Sequence, residues 1–130
     1  MKNEFLEKIC ETEQSWRAAT KAEQLVAGAF CRSKDKGFDV VTLDEALRKI
    51  ADNFSEFVKV MNEAQLTEIY YTADWSNWLG DALRVDEAGL KLRGIVRLEN
   101  PRYKKNMERY GEAWGEPETI PALRFRLEEA

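Results

Sequence analysis

Cations crowd one stretch of this 130-residue chain. Between residues 91 and 110 there are seven Lys or Arg side chains and two Glu, a balance of +5 in a protein whose net charge is −4. Residues 1–90 carry 11 basic and 17 acidic groups, so the overall acidity hides a basic C-terminal part. Two spacings organise these charges. Lys91, Arg93 and Arg97, joined further on by Arg124 and Arg126, take the outward positions of two alternating segments. Arg102, Lys105 and Arg109 recur at intervals of three and four, which places them on one face of a helix. A ribbon with cations along one side can follow a phosphate backbone, and such binding releases counterions and weakens steeply as salt rises. The same groups can meet an acidic protein surface, where Arg is a frequent anchor. Outward charge also serves solubility and blunts sheet edges. No zinc-finger spacing, aromatic RNA-binding signature or Gly-x-x-Gly clamp accompanies the cations. An acidic patch on a larger protein or protein complex is therefore the expected partner, and nucleic acid the alternative.

Aromatic residues add a second chemistry. The chain has four tryptophans, at positions 16, 75, 78 and 114. Trp75 and Trp78 are one helical turn apart and follow Tyr70 and Tyr71. Trp114 sits in the Gly-Glu-Ala-Trp-Gly-Glu-Pro stretch, which offers it little local cover. Trp, Tyr and Arg dominate binding hot spots, because a large flat side chain buries much area at low conformational cost. The competing use of such residues is the core.

Catalytic chemistry finds less support. Histidine is absent, which removes Ser-His-Asp, Cys-His and His-ligated metal sites from this chain. Gly-x-Ser-x-Gly, phosphate-binding glycine loops and Gly-x-Gly-x-x-Gly are missing too. Glu4, Glu7 and Glu11 share a helix face, and Asp52, Glu56 and Glu63 lie on a second helical segment. Paired acidic motifs of this kind hold magnesium in helical nucleotide hydrolases, so a carboxylate-metal nucleotide hydrolase is a second alternative. Cys10 and Cys31 read as structural thiols. In one continuous helix they would stand about 30 Å apart, and the carboxylates of Glu7 and Glu11 disfavour a thiolate at Cys10.

These groups need elements to place them. Phe5, Ile9, Trp16, Ala19, Val26 and Phe30 keep a helical phase from residue 3 to 33, which predicts one long helix. Thr20 and Glu23 have capping-box spacing and could divide it. A turn at 34–37 and an extended piece at 38–41 follow. Thr42 and Glu45 then match a capping box ahead of Leu43, Leu47, Ile50, Phe54, Phe57 and Met61, a stripe that predicts a second long helix or a helical dimer seam. Residues 66–83 are apolar all round and predict a third, aromatic helix. The period changes after Gly89. Leu90, Leu92, Val96 and Leu98 share one parity of a strand, with Gly94 a bulge position. Asn100-Pro101 has the form of an N-cap with proline at the first helical position, and the helix should stop at Gly111. Leu123, Phe125 and Leu127 alternate with Arg124 and Arg126 as a second strand, expected to pair with the first.

The expectation is an α+β domain over residues 1–130: residues 1–85 mainly helical, with two long antiparallel helices and an aromatic third, and residues 90–128 a two-stranded antiparallel ribbon enclosing a short helix. The first residues lack an apolar signal run, and two cysteines fit a reducing compartment, so a cytoplasmic location is expected. The expected function is a non-catalytic interaction protein of inhibitor, immunity or accessory-subunit type, without cofactor and with a homodimer left open, that presents basic and aromatic groups to its partner.

Overall fold

Helix α1 (Glu4–Glu11) starts where Asn3 accepts the Leu6 N–H on its side-chain oxygen at 3.1 Å. Asn3 also donates its amide to the Ala64 carbonyl at 2.9 Å, tying the first residues to a distant part of the chain. The computed structural model describes residues 1–45, 54–72 and 78–128, without the side chains of 78–81 and 84. The expected long first helix is instead three. Thr12 turns extended and forms a capping box with Ser15, opening α2 (Glu13–Ala18). Thr20 does the same with Glu23 and opens α3 (Lys21–Lys36). Each box satisfies N–H groups that a break would leave unpaired. The breaks let α1 fold back along α3, and Leu6 becomes fully buried there. The apolar phase across Thr20 is served by separate helices: Val26 and Phe30 are buried on α3, while Trp16 on α2 and Ala19 at its end are half-buried.

Gly37 ends α3 at φ 93°, a left-handed position that glycine takes without steric penalty. Thr42–Leu43 then forms strand β1. The Thr42 capping box is not made: its hydroxyl lies 2.9 Å from Ser33 Oγ, and its N–H donates to the same Ser33 oxygen at 2.8 Å. The extended piece thus lies slightly later than 38–41. Leu43 ends a strand rather than starting a helical stripe. Phe54, Phe57 and Met61 are buried on α4 (Phe54–Glu63), while Leu47 and Ile50 lie outside the described residues.

The expected aromatic third helix is also divided. Residues 68–71 form strand β2 (Glu68–Tyr71), with Ile69 and Tyr71 buried and Glu68 and Tyr70 half-buried on the other side. Pairing decides this outcome, because β2 has a parallel neighbour in β1 and an antiparallel one in β4 (Thr119–Leu127). Helix α5 (Trp78–Glu87) follows and buries Ala82 and Val85.

Strand β3 (Leu90–Glu99) leads to α6 (Pro101–Tyr110), which leads to β4, and β3 pairs antiparallel with β4 as expected. The sheet has four strands in the order β1-β2-β4-β3, two more than the ribbon foreseen. Helix and strand are mixed as in an α+β protein. One face of the sheet, carrying Leu43, Ile69, Tyr71, Leu90, Leu123, Phe125 and Leu127, joins Leu6, Phe30, Phe57 and Met61 in one apolar core.

A bulge breaks the β3 register. Leu92 faces Phe125, but the next pair is Gly94 with Arg124, so Arg93 is the extra residue. Gly94 takes φ +125° there. Beyond it the parity of β3 flips relative to its partner. Leu90 and Leu92 face the core, whereas Val96 and Leu98 pair with Ala122 and Ile120 on the other face. The four apolar residues therefore do not share a face, and Ile95, which pairs with Leu123, is left 62% exposed.

Candidate interaction surface

The same bulge scatters the cations of the ribbon. Lys91 pairs with Arg126 and so shares the open sheet face with Arg124, whereas Arg97 pairs with Pro121 on the opposite face. The single outward array of Lys91, Arg93, Arg97, Arg124 and Arg126 is corrected accordingly. Several of these groups are also committed to internal partners. Arg124 and Arg126 both donate to Glu68 Oε1, Arg126 at 3.0 Å, while the Tyr70 hydroxyl donates to Oε2 at 2.8 Å. The Arg124 guanidinium, aided by Tyr70 and Arg126, holds the Glu68 carboxyl below its usual range against the opposing effect of burial. Lys91 bonds Asp86 at 3.0 Å, and Arg97 bonds the Thr119 hydroxyl at 2.7 Å. On the open face Glu68 of β2 and Arg124 and Arg126 of β4 thus form a cross-strand ion-pair network, while Lys91 of β3 is paired separately with Asp86 of α5. Spacing along the chain could not reveal it, because Glu68 lies far from both arginines in sequence.

Helix α6 behaves differently. None of its residues is buried. Asn100, only 6% exposed, holds its base: the side-chain oxygen accepts the Arg102 N–H at 3.1 Å, and the amide donates to the Pro117 carbonyl at 2.8 Å and to Glu116 at 3.0 Å. One side chain thus caps the helix and clamps the returning chain to its start. Asn106 adds a second tie, donating to the Ala113 carbonyl at 3.2 Å. Pro101 occupies the first turn and Gly111 the C-cap, both as expected from sequence.

Trp114 lies on the turn that follows. Its φ of 50° is left-handed, a strained value for a bulky residue. Its ring stacks on Tyr110 with centroids 4.3 Å apart and planes at 17°. The indole N–H donates to Glu112 at 2.9 Å. Despite these contacts Trp114 is 63% exposed, Tyr110 52% and Met107 41%. Arg109 and Lys105, on the same helix, have no ion-pair partner among the described residues, and neither has Arg93. Arg102 lies 3.6 Å from Glu116. Lys105, Arg109, Met107, Tyr110 and Trp114 thus all belong to one exposed element, α6 and the turn after it, with the two cations on one side of the helix and Met107, Tyr110 and its stacked Trp114 on the other. Trp75 lies outside the described residues. So does the Trp78 side chain, although Trp78 begins α5.

A cleft of about 680 Å³ lies at the base of α6, lined among others by Lys36, Asp44, Thr72, Asn100 and Lys105. Burial pushes the Asp44 carboxyl up, but Lys36 at 3.0 Å and Arg32 at 3.1 Å outweigh it, so the group stays below its usual range. Among the described residues no three His, Cys, Asp or Glu side chains stand close enough to hold a metal ion. Glu7 is engaged by Lys34 at 2.5 Å, and Asp52 lies outside the described residues. No helix among the described residues is long and apolar enough to cross a membrane.

No family description matches the chain, and comparison with curated proteins and with solved structures found no match.

Proposed function

We propose that this chain is a non-catalytic interaction protein that docks a larger, acidic protein partner through α6 and the turn after it. One observation carries the reading: a stacked Trp114–Tyr110 pair stays more than half exposed at the end of a helix that has no buried residue and also carries the uncommitted cations of Lys105 and Arg109. Folding gains little from such a pair. In an interface, rigid aromatic rings flanked by cations combine apolar area with electrostatic steering. Inhibitors, immunity proteins and accessory subunits work in this way. The strained Trp114 backbone belongs to the same argument, since strain persists where the surroundings hold a side chain for a purpose.

Nucleic acid is the competing partner. The ion pairs of the sheet weaken that reading, because they remove Lys91, Arg124 and Arg126 from any continuous cationic track.

The test is retention of partners from a lysate of the natural host on the immobilised chain. A partner held by the wild type should be lost from both a Trp114→Ala/Tyr110→Ala variant and a Lys105→Glu/Arg109→Glu variant, each with an unchanged circular dichroism spectrum. Retention of the same partner by both variants would sink the proposal. Mobility shift of DNA or RNA at low salt, abolished by Lys105→Glu/Arg109→Glu, would favour nucleic acid instead.

A further inference from the structure

The division of the first helix has a chemical consequence. It turns two cysteines that one helix would hold apart into neighbours. Helices α1 and α3 run antiparallel, and the Glu7–Lys34 ion pair at 2.5 Å fixes their register. One turn on along α1 from Glu7 is Cys10, and one turn back along α3 from Lys34 is Cys31. A second contact agrees. The Cys10 thiol donates to the Ala27 carbonyl at 3.5 Å, and Ala27 lies one turn before Cys31 on the same face of α3. Both thiols line one shallow depression with Trp16 and Gly28, and both are free and half-buried.

We propose that Cys10 and Cys31 form a thiol–disulfide exchange site that closes to an intrachain disulfide when it meets a low-molecular-weight disulfide. The depression admits a small reagent to the pair, and the α1–α3 register brings the second thiol to the sulfur that has reacted. The steps balance. The Cys10 thiolate attacks one sulfur of the small disulfide, forms a mixed disulfide and releases the other half as a thiolate. Cys31 then gives up its proton and attacks the Cys10 sulfur, forming the Cys10–Cys31 bond and releasing the second half. The protein loses two electrons and two protons, and the reagent becomes two thiols.

The order of attack follows from the surroundings. Burial, helped by the neighbouring Cys10 thiol, pushes the Cys31 thiol up to about 12, whereas at Cys10 the Glu7 carboxylate expected to oppose a thiolate is engaged by Lys34, so Cys31 is the poorer first nucleophile. Capping Cys10 as a mixed disulfide removes the Cys10 contribution and eases the second step. Closure would bind α1 covalently to α3, beside Leu6 in the core. The proposal is independent of the α6 surface.

The reduced full-length chain, freed of reductant and exposed to oxidised glutathione, tests it. The expected product is a monomer lighter by two hydrogen atoms, with no free thiol and one cross-linked peptide pair containing Cys10 and Cys31. Its urea midpoint should exceed that of the reduced chain, because the closed segment restricts the unfolded state. Cys31→Ser should trap a glutathione adduct on Cys10 quickly, and Cys10→Ser should react several-fold more slowly at Cys31. Two stable adducts per chain, disulfide-linked dimers or unreacted thiols in the wild type would each overturn the proposal. Equal rates for the two variants would overturn the assigned order of attack.

Discussion

Phe125 and Trp114 are both large aromatic residues of the C-terminal part, and they meet opposite environments. Phe125 is 1% exposed in the core, whereas Trp114 is 63% exposed on a turn. The difference extends to the regions around them. The body, made of α1, α3, α4 and the core face of the sheet, is held by a contiguous apolar cluster. The arm, made of the distal half of β3, α6 and the return to β4, is held by the strand ladder and by the hydrogen bonds of Asn100 and Asn106. Body side chains are constrained by close packing. Most arm side chains, Asn100 apart, are exposed or half-exposed, so folding places fewer demands on their identity. An aromatic pair found there therefore says more about binding than one in the core.

The sharpest way to break this comparison is Phe125→Ala. It should lower the free energy of unfolding by about 3–5 kcal/mol, read from urea denaturation, because the cavity opens at the centre of the core. A loss within the range of surface substitutions would mean that the core does not depend on this ring.

Asn100→Ala comes next. It removes the α6 cap and both ties to residues 116 and 117, at about 1–2 kcal/mol. Hydrogen exchange should locate the damage, with faster exchange in α6 and unchanged protection in α3. Uniform acceleration in both would deny that the arm is a separate stability unit.

A smaller effect is expected from Glu68→Gln. The folded Glu68 carboxyl is held below its unfolded value, chiefly by the Arg124 hydrogen bond. Its stabilisation is therefore present at pH above the unfolded value and is lost as pH falls through the lowered folded one. Wild type should exceed Glu68→Gln in urea midpoint at neutral pH, and the gap should close on acidification. A gap independent of pH would show that the charge is not what matters.

Trp114→Ala should change stability least, by no more than about 0.5 kcal/mol, as for an ordinary surface position. A large loss would move Trp114 from the arm's proposed binding surface into its fold.

Local signals in the chain were reliable where the determining contacts are local. Asn100-Pro101 and Gly111 bound α6 as read, since a cap bonds to groups within a turn of itself. The alternation of residues 123–127 marked β4, and Gly94 sits at the bulge. The breaks at Thr12 and Thr20 are written in capping residues as well, but the continuous apolar phase outweighed the Thr20 signal in a linear reading. Strand β2 was hidden for a different reason. Ile69 and Tyr71 sit among residues equally compatible with a buried helix, and only the neighbours β1 and β4 give this segment its hydrogen bonds.

The candidate surface divides in the same way. That Lys105 and Arg109 share one face of α6, with Trp114 on the turn after it, follows from helix spacing and a short turn, so it was legible. The capture of Arg124 and Arg126 by Glu68, and the meeting of Cys10 with Cys31, were not, because each joins residues brought close only by packing.

The amino-acid order alone settled the mixed α+β character, the exclusion of histidine chemistry and the basic, aromatic nature of residues 91–114, because composition and short-range spacing decide these. Tertiary structure decided which cations remain free, which face each strand residue takes beyond the bulge, and that two thiols share one depression. Those depend on register and on the fold-back of α1, and both are set by burial of apolar faces from distant segments, which no local pattern encodes.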